Sequence, residues 1–240
     1  MKPLAALVLT VLTSAPAWAV SCEDVTFDGA SFTTCEVGAD EDLRLFLNGE
    51  NGTPLGNFAS VATQAGGNLA FAMNAGMFHE DQRPVGLYIQ DGEQLTAASD
   101  GGGYGNFGLL PNGIFCISDT LRVWESDAYA AAAPACTHAT QSGPMLVIDG
   151  ALHPKFQPDS TSFKLRNGVG TSADGTRAVF AISNGYVSFH HFARLFRDHL
   201  GLPNALFLDG SVSRLHAPSL DRSDGGFPMG PILGVIDAGG

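Results

Sequence analysis

Basic side chains are scarce in this sequence: 12 Lys and Arg stand against 24 Asp and Glu, for a formal charge of -12 over 240 residues. No run of Lys or Arg breaks that balance. An acidic surface repels a polyphosphate backbone unless a local basic patch reverses the field, so nucleic acid is excluded as an expected partner. A phosphate-bearing small substrate would have to be held by a few placed cations. Metal-site spacings are missing as well. His79, His153, His190, His191, His199 and His216 include no His-Glu-x-x-His arrangement, which would put two zinc ligands on one helix face. No two cysteines stand in C-x-x-C order, and no Gly-x-Ser-x-Gly elbow presents a serine nucleophile. The expectation is a protein without a metal or other cofactor.

Long apolar runs are absent too. The stretch from Leu4 to Leu12 falls well short of the ~20 residues that a membrane span needs. With Lys2 before it and Ala17-Trp18-Ala19 after it, the stretch has the order of a secretory signal peptide. Residues 1-19 are therefore expected to be removed, leaving one domain over residues 20-240, without a transmembrane span, in the periplasm or secreted. A second reading makes Cys22 the lipidated residue of a lipoprotein, because Ala19-Val20-Ser21 loosely fits the small residues that precede such a cysteine. Four cysteines in an exported chain suggest two disulfides, since an oxidising compartment lets them persist. Three connectivities are possible. Closeness in sequence favours Cys22 with Cys35 and Cys116 with Cys136.

The pattern of apolar residues predicts an α+β fold with a mixed β-sheet core and a few packed helices. Leu43 to Leu47 reads as a strand, Pro54 to Ala65 as a helix stopped by Gly66-Gly67, and Asn68 to Met73 as a buried strand. The same order returns with Arg177 to Ile182, Phe189 to Leu200 and Ala205 to Leu208. In that second helix Phe189, Phe192, Ala193, Phe196 and Leu200 form one stripe behind an N-cap at Ser188. Two strands joined through a helix are expected to run parallel, with the ends of Met73 and Leu208 at one sheet edge, where ligands bind. Between these units, Val85 to Gln90, Gly105 to Leu110, Ile114 to Ser118 and Met145 to Ile148 read as strands punctuated by turns such as Asp91-Gly92 and Asp149-Gly150. Ala128 to Ala133 fits helix or loop.

Polar residues collect at the predicted sheet edge. Asn74-Ala75-Gly76-Met77-Phe78-His79-Glu80-Asp81 follows one buried strand, and Asp209-Gly210-Ser211 follows another. A carboxylate directly after four apolar residues is costly to bury unpaired, so Asp209 is either a capping group or a catalytic one. Arg166 and Asn167 sit beside glycines at a strand entrance, and Arg suits bidentate recognition of phosphate or carboxylate. Ala139-Thr140-Gln141-Ser142-Gly143-Pro144 reads as a polar turn ahead of another strand. His79 and His153 are candidates for substrate contact.

Four segments together resemble the phosphodiester glycosidase family in order and rough spacing: Asn74-Ala75-Gly76-Met77-Phe78, Gln141-Ser142-Gly143-Pro144-Met145-Leu146-Val147, Arg166-Asn167-Gly168-Val169-Gly170 and Leu208-Asp209-Gly210-Ser211. That family includes the enzyme that uncovers mannose 6-phosphate by removing N-acetylglucosamine from its phosphodiester. The likeness runs from about Leu43 to Val235 and is greatest to its exported bacterial branch. It implies a carbohydrate or sugar-phosphate substrate, bound by Asn74, Gly76, Ser142, Gly143, Arg166, Asn167, Gly210 and Ser211, and hydrolysis at the anomeric carbon. Asp209 would be one catalytic carboxylate and Glu80 or Asp81 the second, because glycosidases normally pair two. The sequence departs from the family where Ser211 replaces a glycine and where Arg214 stands at a position that small hydroxyl residues commonly occupy. Both departures change the expected sugar pocket. The competing readings are a non-catalytic envelope protein that binds a glycan or a partner, and a metal-dependent phosphodiesterase using the histidines.

Overall fold

Three Asp-Gly pairs set hairpins: at Asp28-Gly29, Asp91-Gly92 and Asp149-Gly150 both residues adopt positive φ, the backbone that a tight two-residue turn between twisted strands requires. They join Val20–Phe27 to Ala30–Gly38, Tyr88–Gln90 to Glu93–Thr96, and Met145–Ile148 to Ala151–Leu152. The computed structural model describes residues 20–102, 105–210 and 212–237. The expected signal segment, residues 1-19, lies outside the described residues, as does Ser211.

The strands form one sheet of seven and two of five, all of their ladders antiparallel, and the fold is α+β. The two strand-helix-strand units are present, with a difference from the simple crossover. Arg177–Ser183 and Asn204–Phe207 run in the same direction, but Asn167–Thr171 lies between them and is antiparallel to both. Likewise Ile232–Ile236 lies between Leu43–Phe46 and Leu69–Asn74. The inserted strand in each unit comes from elsewhere in the chain, which local periodicity could not reveal.

Alternation along the central strands divides the core. Ala178, Phe180 and Ile182 face a cluster shared by all three sheets, whereas Val179 and Ala181 face the helical layer. Phe180 of the large sheet meets Phe71 of one small sheet at 4.9 Å and Phe115 of the other at 5.7 Å. On the opposite face, Phe192, Ala193 and Phe196 of the second helix pack on Val179, Ala181, Ala205 and Phe207. The first helix, Phe58–Ala65, is capped by the Asn57 side chain, stops at left-handed Gly66, and buries Phe58 and Val61.

Several local expectations change. Residues 105–110, predicted as a strand, instead contain a short 3-10 turn at Asn106–Gly108, in which only Phe107 is buried. One buried ring does not sustain the period-two pattern of a strand. The second helix is α-helical over Phe189–Arg194 and widens to a π-helix over Leu195–His199, with Leu200 N donating to Leu195 O. Ser188 caps it by accepting from His191 N. Residues 126–132 form a helix whose N-cap, Glu125, accepts from Asp127 N and Ala128 N. The expected turn before Gly143 is a buried strand, His138–Ser142, because its polar side chains find partners inside the protein. Gln141 accepts from Leu87 N and Ser99 N and donates to Ser99 O.

Disulfides join Cys22 to Cys35 and Cys116 to Cys136. Among the described residues no helix is long and apolar enough to cross a membrane.

Candidate active site

Two strand ends from different sheets meet through side-chain amides. Asn74 closes the Leu69–Asn74 strand and Asn167 opens the Asn167–Thr171 strand, and both are wholly buried. Asn74 Nδ2 donates to Asp209 O at 2.9 Å and to Asn167 Oδ1 at 3.2 Å, and its Oδ1 accepts from Arg214 N at 3.0 Å. Asn167 Nδ2 donates to the same Asp209 carbonyl at 2.7 Å and to Ser213 Oγ at 2.8 Å. Asp209 N donates in turn to Ala75 O, and Leu208 N to Asn167 O. The loop that begins at Asp209 is thereby fixed at its first residue and again at Ser213 and Arg214. Because each asparagine uses both amide protons internally, Asn74 and Asn167 position this loop rather than offer donors to a ligand.

Asp209 itself is 6% exposed. Gly210, the next residue, lines a cavity of about 420 Å³ together with Ser162, Lys164, Arg166, Tyr186 and Phe207. Arg166 is 1% exposed, and its Nε donates to Val187 O at 2.9 Å and its Nη2 to Ser162 O at 3.0 Å. Its guanidinium lies 3.5 Å from the centre of the Phe189 ring. Burial lowers its pKa to about 10, so it stays cationic at neutral pH. The cation thus stands at the cavity wall with its Nε and one Nη2 donor already engaged.

The other predicted residues separate into two groups. Gly76 N donates to Thr140 Oγ1, and any Cβ at Gly76 would collide with that hydroxyl and with Gln141 O, so the glycine permits the loop after Asn74 to lie close against the His138–Ser142 strand. Ser142 is wholly buried with no hydrogen-bond partner for Oγ, and Gly143 packs against Asn112. His153 is buried against Phe156, with ring centroids 4.6 Å apart, and its Nδ1 accepts from Lys155 N. Its pKa is lowered, chiefly by burial. None of Gly76, Ser142, Gly143 or His153 is among the residues lining the Arg166 cavity.

His79, Glu80 and Asp81 form the exposed tip of a turn closed by His79 N donating to Arg83 O. The Asp81 carboxylate accepts from Arg83 Nε at 2.6 Å, and this bond, with help from the Arg83 backbone amide, lowers its pKa. A general acid needs the opposite shift. Among the described residues no three His, Cys, Asp or Glu side chains cluster as a metal site.

Sequence reasoning assigned no role to Ser162, Tyr186 or Ser213. Tyr186 offered one signal, an aromatic between Gly185 and Val187 in a turn, and it is 73% exposed at the cavity.

This arrangement, a carboxylate loop pinned between two sheets beside an arginine-walled cavity, occurs in a chain that belongs to the phosphodiester glycosidase family, which it matches over residues 67–220. It is 31% identical over 215 residues to the uncharacterized protein YigE of Escherichia coli (strain K12), covering 87% of this chain and 84% of that one. Its fold is similar to the catalytic domain of zebrafish N-acetylglucosamine-1-phosphodiester alpha-N-acetylglucosaminidase, auto-inhibited by its pro-peptide. That match has a TM-score of 0.63 and 16% identity over 91% of this chain and 82% of that one. A putative exported protein from Burkholderia pseudomallei K96243 shares the fold at a TM-score of 0.53 and 12% identity, over 87% and 74% of the two chains.

Proposed function

We propose that this chain is an extracytoplasmic hydrolase, periplasmic or secreted after loss of residues 1-19, that cleaves a sugar 1-phosphodiester or related glycosidic linkage at the anomeric carbon. One observation carries the reading: Asp209 is the sole buried acidic side chain among the described residues, and it begins the pinned loop beside the Arg166 cavity. Glycosidases ordinarily use a second carboxyl group to protonate the leaving oxygen. A phosphate leaves as a stabilised anion and does not need that proton, so one carboxylate and one cation suffice.

In the proposed reaction the bond from the anomeric carbon to the phosphate oxygen breaks, and its electron pair passes to the phosphate. Asp209 meets the positive charge that develops on the sugar, by electrostatic stabilisation or by attack. Water then adds to the anomeric carbon and loses its proton to solvent, giving free sugar and a phosphate monoester. Arg166 supplies positive potential where the phosphate charge grows, and an already oriented cation in a site of restricted water is effective there. The resemblance still assigns Gly210 and Ser211 to the sugar. Asn74 and Asn167 hold the loop.

A second reading, a non-catalytic glycan- or partner-binding protein, is favoured by the exposure of Glu80 and Asp81, the two candidates for the second catalytic carboxylate. Incubation of the purified protein with a panel of sugar 1-phosphodiesters and envelope glycans, with products identified by mass, distinguishes the two. The hydrolase reading expects free sugar and a phosphate monoester from at least one phosphodiester. Binding of such compounds by folded protein with no product would replace it with the binding reading.

A further inference from the structure

A second cavity, of about 380 Å³, shares Leu165 with the Arg166 cavity and is lined also by Asn184, Ser213, Arg214, Arg222 and Asp224. Its charged groups differ in how they are occupied. Arg222 donates to both oxygens of Asp224, to Thr33 Oγ1 at 2.9 Å and to Asn184 Oδ1 at 2.8 Å. Asp224 also accepts from Leu215 N. These two charges neutralise each other within a closed network.

Arg214 is different. It is 7% exposed, and its backbone N–H is fixed on Asn74 Oδ1 at 3.0 Å, yet its guanidinium makes no hydrogen bond or ion pair among the described residues. Gly226, at φ 137°, lies directly over that guanidinium, where any side chain would collide with Nη2. The chain therefore leaves room for a buried cation whose planar fork has no partner among the described residues. Burial lowers its pKa from the ordinary arginine value, against an opposing effect of Asp224. A buried arginine with unmade hydrogen bonds is costly unless something supplies acceptors. Its fork geometry matches an oxyanion.

We infer that the Arg214 cavity is an oxyanion subsite, taking a phosphate or carboxylate substituent of the ligand that is separate from the phosphodiester expected beside Arg166. Counting the lining charges, Arg214 and Arg222 against Asp224, the cavity is net positive in a chain of formal charge -12, so it is a local exception to the surrounding field. Ser213 and Arg214 lie on the same pinned loop as Asp209, so an anion bound there would be held in fixed relation to the reacting centre. The substrate class that follows is a phosphodiester-linked glycan carrying a second acidic group. This last step rests on the hydrolase reading, whereas the anion site does not.

The test is a titration of the purified protein with inorganic phosphate and, separately, with acetate at constant ionic strength, read by calorimetry and by the Arg214 Nε–H resonance. The expected result is saturable binding of at least one anion that moves this resonance, and affinity about tenfold or more lower in Arg214→Gln. Arg214→Lys, which keeps the charge and loses the fork, should fall between them. Which anion binds more tightly separates a phosphate from a carboxylate subsite. A resonance that does not move in the wild-type protein, or equal affinity in Arg214→Gln, overturns the inference, and the wild-type arm decides even where neither variant folds. Anion binding at Arg214 by a protein that hydrolyses no phosphodiester would sink the hydrolase reading alone. Hydrolysis without anion binding at Arg214 would sink the subsite alone.

Discussion

The Asp209 loop and the His79–Arg83 tip both carry acidic side chains just beyond a buried strand, yet they have opposite surroundings. Asp209 follows Leu208 into a position 6% exposed, with its carbonyl held by two asparagines. Glu80 and Asp81 lie well beyond the strand end at Asn74, exposed, with Asp81 neutralised by Arg83. Distance from the strand end decides the difference. A residue two positions past the strand, as Asp209 is, still shares its burial, whereas several more residues let the chain reach water. A carboxylate in restricted water interacts strongly with a developing cation, and an exposed one is screened. The two loops therefore should not share the chemistry equally.

The largest effect that would break this comparison is at Asp209. Asp209→Asn retains the shape and should reduce kcat by about a hundredfold to a thousandfold while leaving the melting temperature near that of the wild type. Full turnover by a folded Asp209→Asn protein would move the catalytic role elsewhere. Next comes the clamp. Asn167→Ala removes two donors and strands Asn74 and Ser213, so it should cost about 2 to 4 kcal/mol in urea unfolding and should also lower kcat. An unchanged midpoint would show that the buried amides do not hold the loop. At the exposed tip, Glu80→Gln and Asp81→Asn should each leave the urea unfolding midpoint and kcat/KM near wild type. A large loss of rate in Glu80→Gln would restore the second carboxylate.

The smallest effect sharpens the contrast through pH. Arg83 depresses the Asp81 pKa below its ordinary 3.8, so the stabilisation from this pair is present above the unfolded-state pKa. It fades as pH falls through the folded-state value. In Arg83→Ala the Asp81 carboxyl should titrate at higher pH than in the wild type, with the part of the depression due to the backbone amide of residue 83 retained, visible as a shift of its side-chain carbon resonance to higher pH. No difference between the two titrations would mean that the pair does not persist in solution.

Much of the fold was legible because its signals are local. Asp91-Gly92 and Asp149-Gly150 announced hairpins, Gly66 ended a helix, and Ser188 capped another. The inserted strands Asn167–Thr171 and Ile232–Ile236 were not legible, since their neighbours lie far away in sequence. In the candidate site, Asn74, Asn167 and Asp209 were found together because each abuts a buried strand, and the amide bonding that joins them was hidden from composition. Arg166 carried a misleading signal. Its fork, read from sequence as available for bidentate contact, already gives Nε to Val187 O and one Nη2 donor to Ser162 O. Arg214 drew notice only as a departure from the family pattern, because nothing in a sequence shows whether a guanidinium has acceptors around it. Ser142 and His153, polar residues near glycine or proline, proved to be buried in the interior.

The central claim is that the sugar, at its anomeric carbon, is the electrophile, and that a phosphate departs intact. Hydrolysis of a sugar 1-phosphodiester in water labelled with heavy oxygen, with both products weighed by mass spectrometry, tests this most directly. The label is expected in the released sugar, with the phosphate monoester unlabelled. Label in the phosphate would mean attack at phosphorus, and it would contradict both the role of Asp209 and the glycosidase mechanism.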